Sequence, residues 1–117
     1  MLSRSYSASQ RDIVLIPFPF SDLSKAKYRP AIVMSNNTYN RKFRDFIGIP
    51  LTTNPNTRNH TVPVTSRDMA TGSLTVVSVA KVDKVFSLEQ KLVVKTYGQL
   101  RQDVFDKIRD ELIKLLN

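Results

Sequence analysis

Apolar residues occur along this chain in short runs that polar segments separate. The first run covers residues 12–16 and is followed by Pro17 and Pro19, which are expected to end its ladder because proline has no N–H to donate. Further runs lie at residues 31–35, 46–51, 62–64, 74–79 and 92–97, and the run at 74–79 continues around a bend to residue 86. Runs of this length that are rich in branched side chains predict β-strands.

The period of the apolar positions changes after Gly98. Leu100, Val104, Ile108 and Leu112 recur every four residues, which predicts one amphipathic helix at the end of the sequence. Several short strands followed by one helix are typical of a small, mainly β fold. We therefore expect a strongly bent antiparallel β-barrel with a C-terminal helix, formed by residues 10–117, and a flexible basic tail at residues 1–9.

Composition supports one globular domain with an anionic partner. The 117 residues are 41% hydrophobic, and 18 Lys and Arg outnumber 10 Asp and Glu to give a formal charge of +8. Residues 1–60 hold nine basic and three acidic side chains, a balance of +6. Such a surplus favours binding of a polyanion such as nucleic acid, although a generally basic, solvated surface without a specific partner would have the same composition.

Several classes of site are excluded by residues that the sequence lacks. There is no cysteine and only one histidine, His60, so disulfide scaffolds, zinc fingers, thiol proteases and histidine metal clusters are ruled out. We predict neither a metal nor another cofactor. The apolar run at residues 13–20 is short and broken by prolines, and the first ten residues lack a signal-peptide core, so a cytoplasmic protein without a membrane segment is expected.

The order of the segments resembles one known family. The string RDIVLIPFPFSDLSKAKYRPAIVMSN is similar to the opening of the PemK/MazF toxin endoribonucleases, and IGIPLTT, GSLTVVSVAKVDKV and a Gly98-x-Leu100 step follow in the family's order. The resemblance covers roughly residues 10–116. It implies an SH3-like barrel, a homodimer, metal-independent cleavage of single-stranded RNA, and an antitoxin partner that inactivates the enzyme. Two departures are that Arg11 stands where the family usually has glycine, and that residues 17–29 lack a histidine that some relatives use.

Arg29 and Thr52 are the principal catalytic candidates. The family's key arginine corresponds to Arg29, whose planar guanidinium matches two phosphate oxygens and can stabilise the charge of a phosphorane. Thr52 corresponds to the family's active-site Ser or Thr, and the adjacent Thr53 is the alternative because the register is not fixed within one residue. The competing interpretations are a solvated charge at the barrel rim for Arg29 and ordinary turn chemistry for the threonines.

Lys81 and Asp83 form a second candidate pair. In one branch of the family an Arg-x-Asp element supplies catalytic groups, and Lys81-Val82-Asp83 aligns with it. Asp83 would then accept the proton of the RNA 2′-hydroxyl and Lys81 would neutralise phosphate, since residues two apart on a strand share one face. A cross-strand salt bridge is the alternative. His60 lies in a polar segment and is expected to face solvent, and a catalytic base is the alternative.

The remaining candidates are basic and aromatic residues that could bind RNA. Single-stranded RNA is held by cations along its phosphates and by aromatic rings that stack on its bases. The residues expected to do this are Lys25, Lys27, Tyr28, Tyr39, Arg41, Lys42 and Arg58. Two other functions remain open: a non-catalytic RNA-binding barrel, and a gyrase poison of the same fold, which the absence of tryptophan disfavours.

Overall fold

Within the described part of the chain, eight antiparallel strands curl into a half-barrel, and a helix at the end of the sequence packs against it. The structure, a computed structural model, describes residues 6–18, 27–54 and 60–117. The elements are β1 (Asp12–Phe18), β2 (Lys27–Val33), α1 (Asn37–Lys42), β3 (Asp45–Thr52), β4 (Thr61–Val64), β5 (Met69–Gly72), β6 (Ser78–Lys81), β7 (Phe86–Glu89), β8 (Lys95–Leu100) and α2 (Gln102–Leu116). The predicted mainly β barrel with a C-terminal helix is confirmed, and the short helix α1 is an addition.

Strand β3 gives the sheet its bend because it has different neighbours along its length. The strand order is β4-β6-β3-β2-β1-β8-β5, and β7 also pairs with β3. The first half of β3, residues 45–48, pairs with β7, whereas Leu51 and Thr52 pair with β6. The end of β3 therefore lies between β2 and β6.

The central strands are buried on both faces. Ile13 and Ile32 belong to the cluster that α2 covers with Val104, Phe105 and Ile108. Their neighbours along the chain point to the other face, where a second cluster contains Val14, Ile16, Ala31, Val33 and Phe46. Because successive side chains of a strand alternate between faces, burial on both faces produces the continuous apolar runs seen in the sequence.

Three strand predictions need correction. The last strand, expected at residues 92–97, is β8 at Lys95–Leu100, because a 3₁₀ turn at Gln90–Leu92 precedes it. Strand β1 does not end before Pro17, since Pro17 lies opposite Tyr28 in the β1–β2 ladder. β8 pairs with β1 only as far as Leu15, so the missing N–H of Pro17 lies beyond the β1–β8 ladder. In the run at 74–79, strand pairing begins only at Ser78, opposite Val64, and the preceding Val76 and Val77 are exposed.

The segment before β1 contacts the barrel from Tyr6 onwards. The Tyr6 hydroxyl donates to Asp12 Oδ2 at 2.5 Å, and the Ala8 N–H donates to Gln90 Oε1 at 2.8 Å. Residues 6–9, which the sequence grouped with a flexible tail, thus pack on the domain. Arg11 adopts the left-handed backbone that the family's glycine would allow (φ 78°), and its Nη1 donates to Leu100 O at 2.6 Å.

In the part of the chain that the structure describes, no helix is both long enough and apolar enough to cross a membrane.

Candidate functional site

A groove opens where the start of β2, the end of β3 and the turn after β6 meet. One cavity of about 420 Å³ is lined by Arg29, Thr52, Lys81 and Asp83 among other residues. A neighbouring cavity of about 430 Å³ shares Arg29 and Thr52 and adds Thr53. The two cavities share Arg29, Leu51 and Thr52 and are together called the groove below, and their linings include all five catalytic candidates.

The register between β2 and β3 brings Arg29 and Thr52 together. The paired register ends with Ala31 opposite Pro50, and Arg29 lies two residues before Ala31 while Thr52 lies two residues after Pro50. Paired residues of neighbouring strands point to the same face of a sheet. Residues that are far apart in the sequence therefore line one cavity, at the place where the β2–β3 ladder opens.

An aromatic stack supports the guanidinium of Arg29. Its Cζ lies 5.5 Å from the ring centroid of Phe18, a cation–π distance. Phe18 meets Phe86 edge to face with ring centroids 6.1 Å apart, and Phe86 meets the buried Phe46 in the same way at 6.1 Å. Arg29 makes no ion pair with any carboxylate in the described residues, so its charge is available to an anion.

Thr52 occupies a more central position than Thr53. Thr52 is half-buried and lines both cavities, whereas Thr53 is exposed and lines only the second. Thr52 Oγ1 accepts a hydrogen bond from the Asn54 N–H at 3.2 Å. This is the turn contact expected of an ordinary threonine, yet it leaves the hydroxyl hydrogen of Thr52 available for a ligand in the groove.

Lys81 and Asp83 do not lie on one strand, because Lys81 ends β6 and Asp83 lies in the turn that follows. Lys81 is the last residue of β6, and a turn follows in which the Lys84 N–H donates to Lys81 O at 3.0 Å. The buried Val82 anchors this turn by donating its N–H to His60 O at 3.1 Å. The alternative of a salt bridge is not observed, because neither Lys81 nor Asp83 pairs with an opposite charge within the described residues.

Comparison with known proteins identifies the family. A family model described as PemK-like, MazF-like toxin of type II toxin–antitoxin system matches residues 9–116. This chain belongs to the PemK/MazF toxin family. A comparison with curated proteins found no match.

Solved structures share the fold of this PemK/MazF-family toxin at low sequence identity. An endoribonuclease from a mycobacterial species superposes with a TM-score of 0.74 at 19% identity, covering 97% of this chain and 95% of that one. A chain of the MazE–MazF structure from Deinococcus radiodurans gives 0.73 at 21% identity over 96% and 97% of the two chains. A mycobacterial endoribonuclease in complex with its cognate antitoxin gives 0.73 at 17% identity over 94% and 93%.

The toxin keeps part of the predicted RNA-binding set away from the groove. Tyr28 lines the second cavity, and the exposed Lys27 precedes it on β2. Tyr39, Arg41 and Lys42 lie on α1, which precedes the opposite end of β3. The predicted residues Lys25 and Arg58 lie outside the described residues.

His60 contacts the C-terminal helix of the toxin. Its Nδ1 lies 3.2 Å from Glu111 Oε2 on α2, and it does not line either cavity of the groove. Its backbone is left-handed, with φ 69°. Through its carbonyl contact with Val82, His60 supports the turn that holds Asp83, so its role in the fold is structural.

Sequence reasoning missed Phe86 and Lys84 as groove residues. Phe86 packs edge to face against Phe18, the ring on which the Arg29 guanidinium rests. Lys84 adds a third cation to the lining of the cavity. Lys84 had a signal, since it directly follows the Lys-x-Asp element, but Phe86 had none. In the described ranges, no group of three His, Cys, Asp or Glu residues is arranged to hold a metal ion.

Proposed function

We propose that this toxin is a metal-independent, sequence-specific endoribonuclease that cleaves single-stranded RNA in the groove and leaves a 2′,3′-cyclic phosphate and a 5′-hydroxyl. The observation that carries the proposal is the shared lining of one cavity by Arg29, Thr52, Lys81 and Asp83. Family membership and the endoribonuclease names of two structural relatives support it.

The groups in the groove match the needs of cleavage by the RNA's own 2′-hydroxyl. The 2′-oxygen bonds to phosphorus while the bond from phosphorus to the 5′-oxygen breaks, so neither a protein nucleophile nor a metal is needed. Asp83 takes the 2′ proton, and the 5′-oxygen takes a proton from water in the open groove. Arg29 binds two phosphoryl oxygens, Thr52 donates its hydroxyl hydrogen to one of them, and Lys81 balances the second negative charge.

Single-turnover cleavage of a defined oligonucleotide, measured beside a binding titration, tests the mechanism. Arg29→Lys keeps the charge but loses the two-pronged geometry, so we expect most of the affinity to remain while the rate falls on the order of 10²-fold. Arg109→Lys, an exposed α2 substitution of the same kind, is the matched control and should cleave at the full rate.

Activity in EDTA tests the absence of a metal. Cleavage is expected to persist at an unchanged rate, because every charge in the transition state is assigned to a side chain. Loss of activity in EDTA that magnesium restores, or full activity of Arg29→Lys, would refute the mechanism. RNA that binds tightly in the groove but remains intact under all conditions would instead indicate a non-catalytic RNA-binding barrel.

We also propose that an acidic antitoxin occupies the groove. The formal charge of +8, and an Arg29 that forms no ion pair with the residues that the structure describes, favour an anionic polypeptide that competes with RNA. One structural relative is described in complex with its cognate antitoxin and another as MazE–MazF. Full cleavage activity in the presence of a tightly bound antitoxin would contradict a shared groove.

We also propose that the toxin forms a homodimer. Ile113 and Leu116 on α2 are 46% and 75% exposed, so apolar surface remains that a second copy would cover. Sedimentation at micromolar concentration should give about twice the chain mass of 13.3 kDa. A monomer that cleaves RNA at the full rate would exclude a functional role for pairing.

A further inference from the structure

A second basic and aromatic surface lies at the end of β3 remote from the groove. It consists of Arg41, Lys42, Phe43, Arg44 and Lys91, and we call it the α1 platform. Seven residue steps of β3 separate Asp45, beside this platform, from Thr52 in the groove. At about 3.3 Å per residue this is a path of about 23 Å along the strand.

The α1 platform presents an aromatic ring surrounded by cations. Phe43 is 47% exposed, and its ring centroid lies 4.7 Å from that of Tyr39. Lys42 Nζ lies 5.8 Å from the Phe43 centroid. Phe43, Arg44 and Lys91 also line a cavity of about 290 Å³, close to the lower limit of ligand-sized clefts at roughly 300 Å³.

The positive charge of the platform is only partly balanced. Arg41, Lys42 and Arg44 form no ion pair in the part of the chain that the structure describes. The acidic Glu89 in the same cavity is already 3.8 Å from Lys91. Three cations therefore remain for an anionic ligand.

A buried amide holds the platform in a fixed conformation. Gln90 is 8% exposed, and its Nε2 donates to the carbonyls of Asn40, Phe43 and Asp45 at 2.9, 3.1 and 3.0 Å. The Gln90 N–H also donates to Arg44 O at 2.8 Å. Because the backbone on both sides of Phe43 is anchored, its exposed ring is preorganised for contact with a ligand.

We propose that the α1 platform is a second contact surface for single-stranded RNA. One base of the RNA stacks on Phe43, and Arg41, Lys42 and Arg44 contact the neighbouring phosphates. A planar aromatic face among unpaired cations is the arrangement that single-stranded nucleic acid requires, whereas an acidic polypeptide has no need of the ring. The inference rests on the proposed RNA cleavage, and the platform would bind a flank of the RNA that is cut in the groove.

The separation of the two surfaces predicts a dependence on RNA length. At about 3.4 Å per nucleotide of stacked strand, a path of about 23 Å corresponds to about seven nucleotides. An RNA of about five nucleotides should therefore fill the groove without reaching the platform. The same site flanked by about ten nucleotides on each side should reach both surfaces.

Affinities of the short and long RNA, each with a 2′-deoxy nucleotide at the cleavage position, test the proposal. We expect wild-type protein to bind the long RNA at least tenfold more tightly. Phe43→Leu should remove most of this advantage, roughly tenfold, because stacking on one ring is lost. Arg41→Gln/Lys42→Gln/Arg44→Gln should reduce the slope of log affinity against log salt by about 2, at about 0.7 per phosphate contact.

Matched controls separate this proposal from a general loss of charge or of folding. Lys107→Gln/Arg109→Gln/Lys114→Gln removes three charges from α2, and it should keep the length advantage. Melting curves verify the fold of each variant. Cleavage of the short RNA in its all-ribose form, measured at saturation, should be unchanged in all of them, since the groove is intact.

Three outcomes would overturn the α1 platform as an RNA surface. The first is equal affinity of wild-type protein for the two RNAs, and the second is a full length advantage in both platform variants. The third is that the platform variants lose binding to polyglutamate but not to RNA, which would assign the surface to an acidic protein. A wild-type protein that cleaves neither RNA in its all-ribose form, yet keeps the length advantage with the 2′-deoxy RNAs, would refute the proposed function and leave the platform intact.

Discussion

Replacing Gly48 with alanine tests whether core packing positions Arg29. A Cβ at this position would lie 2.9 Å from Phe86 Cζ, 3.0 Å from Phe46 Cε2 and 3.0 Å from Ile32 O. Carbon atoms in good contact are separated by about 3.5 to 4.0 Å, so the two ring carbons would each have to withdraw by about half an ångström. Gly48 is thus required by the close approach of two aromatic rings.

The strain falls on the side chain that is free to move. Phe46 is fully buried and Ile32 O belongs to the backbone of a central strand, whereas Phe86 is only half-buried and borders the groove. Overpacking of this kind costs about 1–3 kcal/mol, or about 4–12 °C in melting temperature for a domain of this size. A displaced Phe86 pushes Phe18, on which the guanidinium of Arg29 rests.

The expected result is a loss of rate beyond the loss of stability. A misplacement of 1 Å at a reacting centre can cost about 10²-fold, so a shift of about half that size should lower the single-turnover rate by about tenfold. RNA affinity should change little, because the charge of Arg29 remains. Thermal unfolding, single-turnover cleavage at saturating RNA and a binding titration measure the three quantities separately.

Two further variants sharpen the Gly48→Ala experiment. Ile108→Val costs about 0.5–1.5 kcal/mol in the core under α2, and as a control it should melt earlier without losing rate. Adding Phe86→Leu to Gly48→Ala removes the clashing ring end, which should restore stability but not the rate. An unchanged melting temperature in Gly48→Ala would refute the packing reasoning, and a full rate in a destabilised Gly48→Ala would refute the link from Phe86 to Arg29.

Three more predictions concern individual contacts. Thr52→Ala should lower the single-turnover rate more than the RNA affinity, and Thr53→Ala should leave both nearly unchanged; the reverse order would move the catalytic role to Thr53. His60→Asn keeps a residue type that tolerates the left-handed backbone, but it loses the contact to Glu111, so the unfolding free energy should fall by up to about 1 kcal/mol. The variant should still cleave RNA at the full rate. A folded but inactive variant would make His60 a catalytic base. Burial raises the pKa of Asp12 above its ordinary value near 3.8, so the native state binds that proton more tightly than the unfolded state. The stability that Asp12 contributes is therefore complete below the unfolded pKa and is lost as the pH rises through the native pKa. Denaturation between about pH 3.5 and 7 should show the stability of wild type relative to Asp12→Asn falling as the pH rises. A stability difference that stays constant would contradict the raised pKa.

The sequence by itself determined the central strands and the last helix. Strands β1 to β3 are buried on both faces, so the apolar positions along them are nearly continuous and visible without a structure. Helix α2 buries one stripe on the barrel, and its four-residue period is equally plain. In both cases burial of the element itself leaves a pattern in its own residues.

Strand pairing could not be predicted in the same way, because it depends on residues elsewhere in the chain. Val76 and Val77 have the branched side chains of a strand but lie before the start of β6, and no strand among the described residues pairs with them. Pro17 carries the signal of a strand end, yet it stays within β1 because β8 has already diverged. A residue with strand propensity stays outside the sheet where no partner strand is available, and a proline stays within a strand where its N–H is not needed for pairing.

The candidate site likewise depends on both the sequence and the tertiary structure. The types of residue at Arg29, Thr52, Lys81 and Asp83 are readable along the chain, but their meeting in one cavity follows from the β2–β3 register and from the switch of β3 to β6 as its neighbour. Tyr39, Arg41 and Lys42 have similar chemistry, and the length of β3 carries them to the other end of the sheet. Side-chain chemistry is a property of each residue, whereas proximity is a property of strand register and sheet curvature, and those arise only when the whole sheet has formed.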